Sequence, residues 1–516
     1  MSANSIKQER IAARESKENR KREAEEAQAK VRRRNRTGWI IGIGLFVLLI
    51  VFGILNTKGL LPALRVNDRT YSTREVSYYY ANEYWQFVNS YGSFASYMGL
   101  DTSSGLSSLG SQAYTASEDY TTWREYFLSG AKSTIASLQA LDDYARENGI
   151  ALTEEEIASV DAELESLEQN VIAGGYKNLD LYFSTAYGSG VNRKIAREAS
   201  LLQARASKAY DHATAQFEYT DEELEEYYDS LEGEVDKYDY WYYYVAADKV
   251  DSEPDADGNV TSDVTEETLA AAKEKADAIV AAFTAGSDNE EALNSALASA
   301  VPGALCTPKK NTTASSVTDD YADWVTDPVR TEGEIAVIPN STETGYYVVV
   351  FGRHDDNHYP TVSVRHILIK AVADEDGNYS DQALEEARVK AEGVYTQWKN
   401  GEATEESFAA LATEYSEDDG SKTLGGLYEN VYKGQMVENF DAFCFADHQP
   451  GDTDMVSAVA SNYAGYHIIY YVGEGELYSN YIARIRKSSE DTETWYAALT
   501  ENYQASELLG FGLAGK

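Results

Sequence analysis

The sequence predicts an α+β protein with one N-terminal transmembrane helix, a helical module, two tandem α+β domains and a closing C-terminal helix. Three observations predict it. An apolar run follows a basic stretch, apolar residues recur at helical spacing through 65–235, and a strand-helix-strand pattern occurs twice at a nearly constant offset. The 516 residues are 43% hydrophobic and include 40 Tyr, enough for several cores, which argues against wholesale disorder. A formal net charge of -42 argues against nucleic acid as a partner, because phosphate binding needs clustered Lys and Arg. The two cysteines, Cys306 and Cys444, exclude a disulfide-rich scaffold or a Cys-based zinc site, and Cys444 between Phe443 and Phe445 reads as a buried thiol.

Residues 1–38 carry twelve Lys/Arg against six Glu and are expected to stay in the cytoplasm. Residues 39–56 form the expected anchor: 39–55 is a seventeen-residue run without a charge, long enough with its neighbours for a bilayer core of about 30 Å. A cleaved signal peptide is the rival, but the basic region is long for one and the small-residue site near 61–64 is weak. No Cys follows closely enough for lipid attachment. The basic flank places everything after the anchor outside the cell membrane, as a single-pass protein.

Residues 57–235 read as the helical module. Val66-Asn67-Asp68-Arg69-Thr70-Tyr71-Ser72 resembles a hairpin opening into a helix capped by Ser72 or Thr73. Helical spacing follows at 123–148, 153–173 and 194–213, and Thr153 and Thr220 each open a Thr-x-x-Glu capping box. No paired His, phosphate loop or nucleophile elbow occurs there.

The repeat occupies 236–352 and 361–474. Leu384, Ala387, Ala391, Val394 and Trp398 step along one helix face, and Leu269, Ala272, Ala276, Ile279 and Phe283 repeat the spacing at an offset of 115. Tyr321 matches Phe440 at offset 119, and Gly345-Tyr346-Tyr347 matches Gly465-Tyr466-His467 at 120. Each copy therefore reads as a few-stranded sheet with helices packed on it, and 475–516 as a closing helical segment. In the second copy, His366 and His467 interrupt otherwise apolar strands, with Asp418 in an acidic turn and Met436 and Phe440 beyond it. Packing alone accounts poorly for two such strands in one small domain.

VRHILI, SFAALATEYSEDDGS, GGL, GQMVENFDAFCF and GYHII, in this order, resemble the parvulin peptidyl-prolyl cis/trans isomerases over about residues 361–474. The wider order of parts resembles, more loosely, the extracytoplasmic foldases of the PrsA and SurA type. The resemblance implies that His366 and His467 are paired core histidines beside a catalytic Asp418. It implies that Met436, Phe440 and one of Leu427 and Tyr428 grip the proline ring, without cofactor or metal. Three departures stand out. An ungapped count from Met436 puts Tyr428 at the family's Leu position. Ala464 leaves the family's Ser or Thr without a counterpart, Ser461 and Asn462 being candidates. The acidic loop 374–381 weighs against phosphoserine-proline substrates.

The first copy has Tyr347, Tyr321 and Val317 where the second has His467, Phe440 and Met436, and so reads as catalytically silent, its strand 240–244 being core or a client-facing surface. The repeated Asp-x-Asp-Gly-Asn lacks the spacing of a calcium loop. The resemblance thus implies a foldase on a bacterial plasma membrane, isomerising X-Pro bonds in unfolded or partly folded secreted polypeptides. Self-association as a homodimer through the helical module is open. The rival class is a holdase chaperone with two inactive parvulin units, and a passive surface protein would need repeats without a site.

Overall fold

The structure is a computed structural model that describes residues 46–515 apart from 232, 254–259 and 287, together with Lys17, Lys21, Arg22, Lys30, Ile43 and Gly44. The expected anchor falls partly outside these, at 39–42 and 45, as does nearly all of the basic segment 1–38. Residues 46–57 are helical, with the side chains of Phe46, Leu48 and Leu49 exposed. Among the described residues no helix is long and apolar enough to cross a membrane.

The chain divides into two compact units. The first lies within Met1–Phe217 and Glu490–Lys516. Strands β1 (Pro62–Val66) and β2 (Arg69–Ser72) form the expected hairpin, turned by Asn67 at φ 48. Ser72 caps helix α1 (Thr73–Tyr91), and the Glu75 carboxylate closes the capping box on the Ser72 amide at 2.8 Å. Helices α2 (Trp123–Glu147), α3 (Glu154–Ala173), α4 (Leu179–Ala186) and α5 (Arg193–Thr214) follow. Tyr80, Tyr84, Phe87, Trp123, Phe127 and Leu202 form the centre of their main core. The expected C-terminal helix is Tyr478–Thr500, but the chain then departs from a helical segment: Ala505–Glu507 pairs with the free edge of β1. Three residues are too few for a hydrophobic period, so the open edge decides their conformation.

The second unit, Glu218–Ser489, begins with α6 (Asp221–Asp229). Strand β3 (Lys237–Ala246), the small hairpin β4 (Lys249–Asp251) and β5 (Ser262–Val264), and helices α7 (Glu266–Ala282) and α8 (Asn289–Ala300) follow. Then come β6 (Thr307–Thr313), α9 (Asp319–Val325), β7 (Ile335–Pro339) and β8 (Gly345–Asp355). The order recurs as β9 (Pro360–Lys370), α10 (Asp381–Asn400), α11 (Glu405–Tyr415), β10 (Leu427–Val431), α12 (Glu438–Cys444), β11 (Thr453–Val459) and β12 (Ala464–Leu477). The antiparallel sheets run β6-β3-β8-β7 and β10-β9-β12-β11, the same path taken twice.

Strand alternation sorts each sheet into two faces. In the second sheet Ile367, Ile369 and Ile468 pack on Ala387, Ala391, Trp398 and Phe408 of α10 and α11. Val364, Ile469 and Tyr471 face Phe440 and Phe443 of α12. In the first sheet Trp241 and Tyr243 pack toward α7 and α8, while Tyr240 and Tyr242 pack toward Tyr321. The aromatic strand is covered on both faces. Cys306 and Cys444 are free and buried, and burial pushes their thiols up, to about 11 and about 12.

Candidate active site

His366 and His467 stand on the same face of neighbouring strands as Val364 and Ile469, because both keep the parity of those residues. Their Nδ1 atoms lie 2.9 Å apart, and both rings are almost fully buried. Asp418 arrives from the loop after α11. That loop is tied to β9 by the Glu417 amide donating to the Leu368 carbonyl at 2.8 Å and by Ser416 Oγ accepting from the Leu368 amide at 3.2 Å.

Asp418 Oδ2 accepts four donors: His366 Nε2–H at 3.1 Å, Ser421 Oγ–H at 2.5 Å, the Ser421 amide at 3.1 Å and Tyr428 O–H at 3.0 Å. The His366 hydrogen bond, ahead of Ser421 and Tyr428, holds its carboxyl far below the usual carboxylate range. A carboxylate at this end requires the proton of His366 on Nε2, which leaves Nδ1 to accept from His467 Nδ1–H. His467 Nε2 then accepts from the Tyr463 hydroxyl, 3.0 Å away. One directional chain therefore runs Tyr463, His467, His366, Asp418. Burial, and then His366, lower His467 to about 3, so its ring is neutral at physiological pH. Burial, and then Asp418, raise Tyr428 to about 12 and raise Tyr463.

The Gly425-Gly426 pair takes φ 67 and 74. The Gly426 carbonyl accepts from the His366 amide at 2.8 Å, and a Cβ at 426 would collide with the His366 carbonyl. This approach lets β10 bring Tyr428 alongside His366, their ring centroids 5.2 Å apart. Phe440 stands edge-on to both histidines, at 5.4 and 5.1 Å. These residues, with Met436, Val437, Leu368, Lys370 and Asn462, line a cavity of about 180 Å³.

The structure thus brings together His366, Asp418, His467, Tyr428, Met436 and Phe440. Leu427 is not among the lining residues: it pairs with Arg365 while Tyr428 pairs with Val364, and strand alternation sends the two side chains to opposite faces. Asn462 lines the cavity, and the hydroxyl on His467 belongs to Tyr463, one residue beyond the two candidates. Ser421, Tyr463 and Lys370 went unidentified in the sequence. The place of Tyr463 four residues before His467, at the mouth of β12, is the signal that could have found it.

In the first sheet Tyr242 lies opposite Val349 as His366 lies opposite Ile469, so Tyr242 holds the position of His366. Tyr347 contacts Tyr321 and Tyr242 at ring distances of 5.0 and 6.0 Å, and tyrosines occupy the place of the histidine pair. Among the described residues no cluster of His, Cys, Asp or Glu fits a metal ion.

Residues 350–473 match the family described as the PPIC-type PPIase domain. The chain is 32% identical over 155 residues to foldase protein PrsA 1 of Listeria innocua, covering 29% of this chain and 45% of that protein. It is 33% identical over 155 residues to chaperone SurA of Chromohalobacter salexigens, covering 29% and 32%. A crystal structure of foldase protein PrsA from Streptococcus pneumoniae aligns over 76% of this chain and 92% of that one, at 13% identity and a TM-score of 0.24. The chain spans less than half the length of the two curated relatives. Residues 350–473 are a parvulin-type domain, in a chain similar over 155 residues to foldase protein PrsA 1 and to chaperone SurA.

Proposed function

We propose that the second copy catalyses cis/trans isomerisation of X-Pro bonds in unfolded or partly folded secreted polypeptides, and that the chain is a membrane-anchored extracytoplasmic foldase. The observation that carries this reading is the ionised Asp418 held by the buried His366, itself paired with His467, at the edge of a cavity whose wall includes Phe440 and Met436.

The reaction breaks no covalent bond; its barrier of about 18–20 kcal/mol is the resonance of the planar amide. Phe440 and Met436 hold the proline ring while the preceding carbonyl swings. The planar amide places negative charge on that oxygen, and twisting withdraws it. A fixed carboxylate at the cavity edge and the exclusion of water both disfavour the planar form relative to the twisted one. The neutral His467 adds no opposing charge, and its role is to hold His366 in the tautomer that donates to Asp418.

The anchor reading rests on the charge-free run 39–55, its basic flank, and the exposed apolar side chains of residues 46–54. With the basic end in the cytoplasm, both copies lie outside a bacterial plasma membrane. The first copy, with tyrosines at the histidine positions, is silent. Refolding of a protein whose slow phase is proline-limited tests the foldase reading: the full chain is expected to accelerate that phase, and His366→Ala to abolish the acceleration. Suppressed aggregation without acceleration would instead assign a holdase.

A further inference from the structure

One turn of the second copy is clamped by the first. Lys433 and Gly434 precede Met436, and Gly434 takes φ 82 against the side chain of Asn311 in β6, so close that a Cβ at 434 would collide with it. Asn311 is itself held: its amide donates to Asp239 at 2.6 Å, and its side-chain oxygen accepts from Arg353 at 2.6 Å. Arg353 also donates to Asp239 at 2.7 Å and to Asp355 at 2.6 Å. Asp355 lies 3.5 Å from the Lys433 ammonium, which sits 3.8 Å from the ring centroid of Tyr359. On its other side the turn is pinned to α12. The Gly434 amide donates to Asp441 Oδ1 at 2.8 Å, the Met436 amide bonds to the same side chain, and Asp441 adjoins Phe440.

The connection between the copies is also fixed. Asn357 is fully buried and donates to the Tyr228 hydroxyl at 2.8 Å and the Val235 carbonyl at 3.1 Å.

We infer that the first copy is a positioning element for the second: Asn311 and Arg353 hold the Lys433-Gly434 turn and thereby set where Met436 and Phe440 stand in the proline socket. This rests on the isomerase reading above. Neither residue lines the cavity, so both act through the turn.

The full chain labelled with ¹³C at its methionine methyls gives a direct readout, since it has four Met. In Asn311→Ala and Arg353→Ala the Met436 resonance is expected to shift while that of Met98 stays. KM for an X-Pro peptide should rise about five- to tenfold with kcat changed less than about twofold, and Arg353→Lys should recover part of the loss. An unmoved Met436 resonance, or a shift with KM unchanged, overturns the inference. Should Arg353→Ala unfold the domain, read from loss of the Met455 signal in β11, Asn311→Ala decides alone, because it removes no charge. Absence of turnover in the parent chain overturns the isomerase reading; the Met436 shift and the affinity for the same peptide then decide the positioning.

Discussion

His467 resists protonation because its ring is buried beside a second imidazole, and this makes the domain sensitive to acid. Its value falls from 6.5 to about 3 on folding. Between those pH values the unfolded chain binds a proton that the folded chain refuses, so stability drops as pH falls below 6.5. Asp418 acts in the same direction: its depressed value contributes stability above the unfolded carboxylate range and loses it as pH falls through the folded value. A His467→Gln variant should therefore show a flatter Tm against pH between about 6.5 and 3 than the parent, and equal slopes would refute the assignment. Tyr463→Phe removes the hydroxyl that donates to His467 Nε2 while keeping the ring in the cavity wall; kcat/KM should fall roughly tenfold, read by peptide exchange. His366, His467 and Asp418 were legible because ionisable residues inside apolar strands and beside a Gly turn are conspicuous. Ser421 and Tyr463 were not, since Ser and Tyr abound in this chain and their partners exist only once the loop closes on β9 and β12.

At the scale of elements, the caps and the repeated helix face were readable because each is a local rule. Thr153 and Thr220 cap as their spacing with Glu demands, and of the two candidates Ser72 and Thr73 it is Ser72 that caps the first helix. Thr153→Ala should cost about 1 kcal/mol in denaturant melts of the helical unit. What local rules could not supply was the edge pairing of Ala505–Glu507 on β1, a contact between distant parts of the chain. An ungapped count from Met436 pointed to Tyr428, and the register of β10 against β9 decides between it and Leu427. The Gly425-Gly426 turn sets that register. Gly426→Ala meets both a left-handed φ and the His366 carbonyl, so a loss of at least about 1 kcal/mol is expected, together with lowered activity. A variant as stable and active as the parent would show that the turn does not place the site.

At the scale of the whole molecule, the chain repeats one sheet path and equips one copy of it. The repeat was visible in sequence because apolar spacing survives where individual residues do not. The lack of the histidine pair in the first copy was visible in part from Tyr347, and the register adds Tyr242 at the second histidine position. The central claim is that the second copy turns over X-Pro bonds, and the most direct measurement is the cis/trans exchange rate of an X-Pro peptide with the full chain, beside Asp418→Ala and Met436→Ala. Acceleration by the parent, reduced roughly 10- to 100-fold in Asp418→Ala and also lowered in Met436→Ala, is the expected result. No acceleration by a folded parent chain, or acceleration untouched by both substitutions, would contradict it.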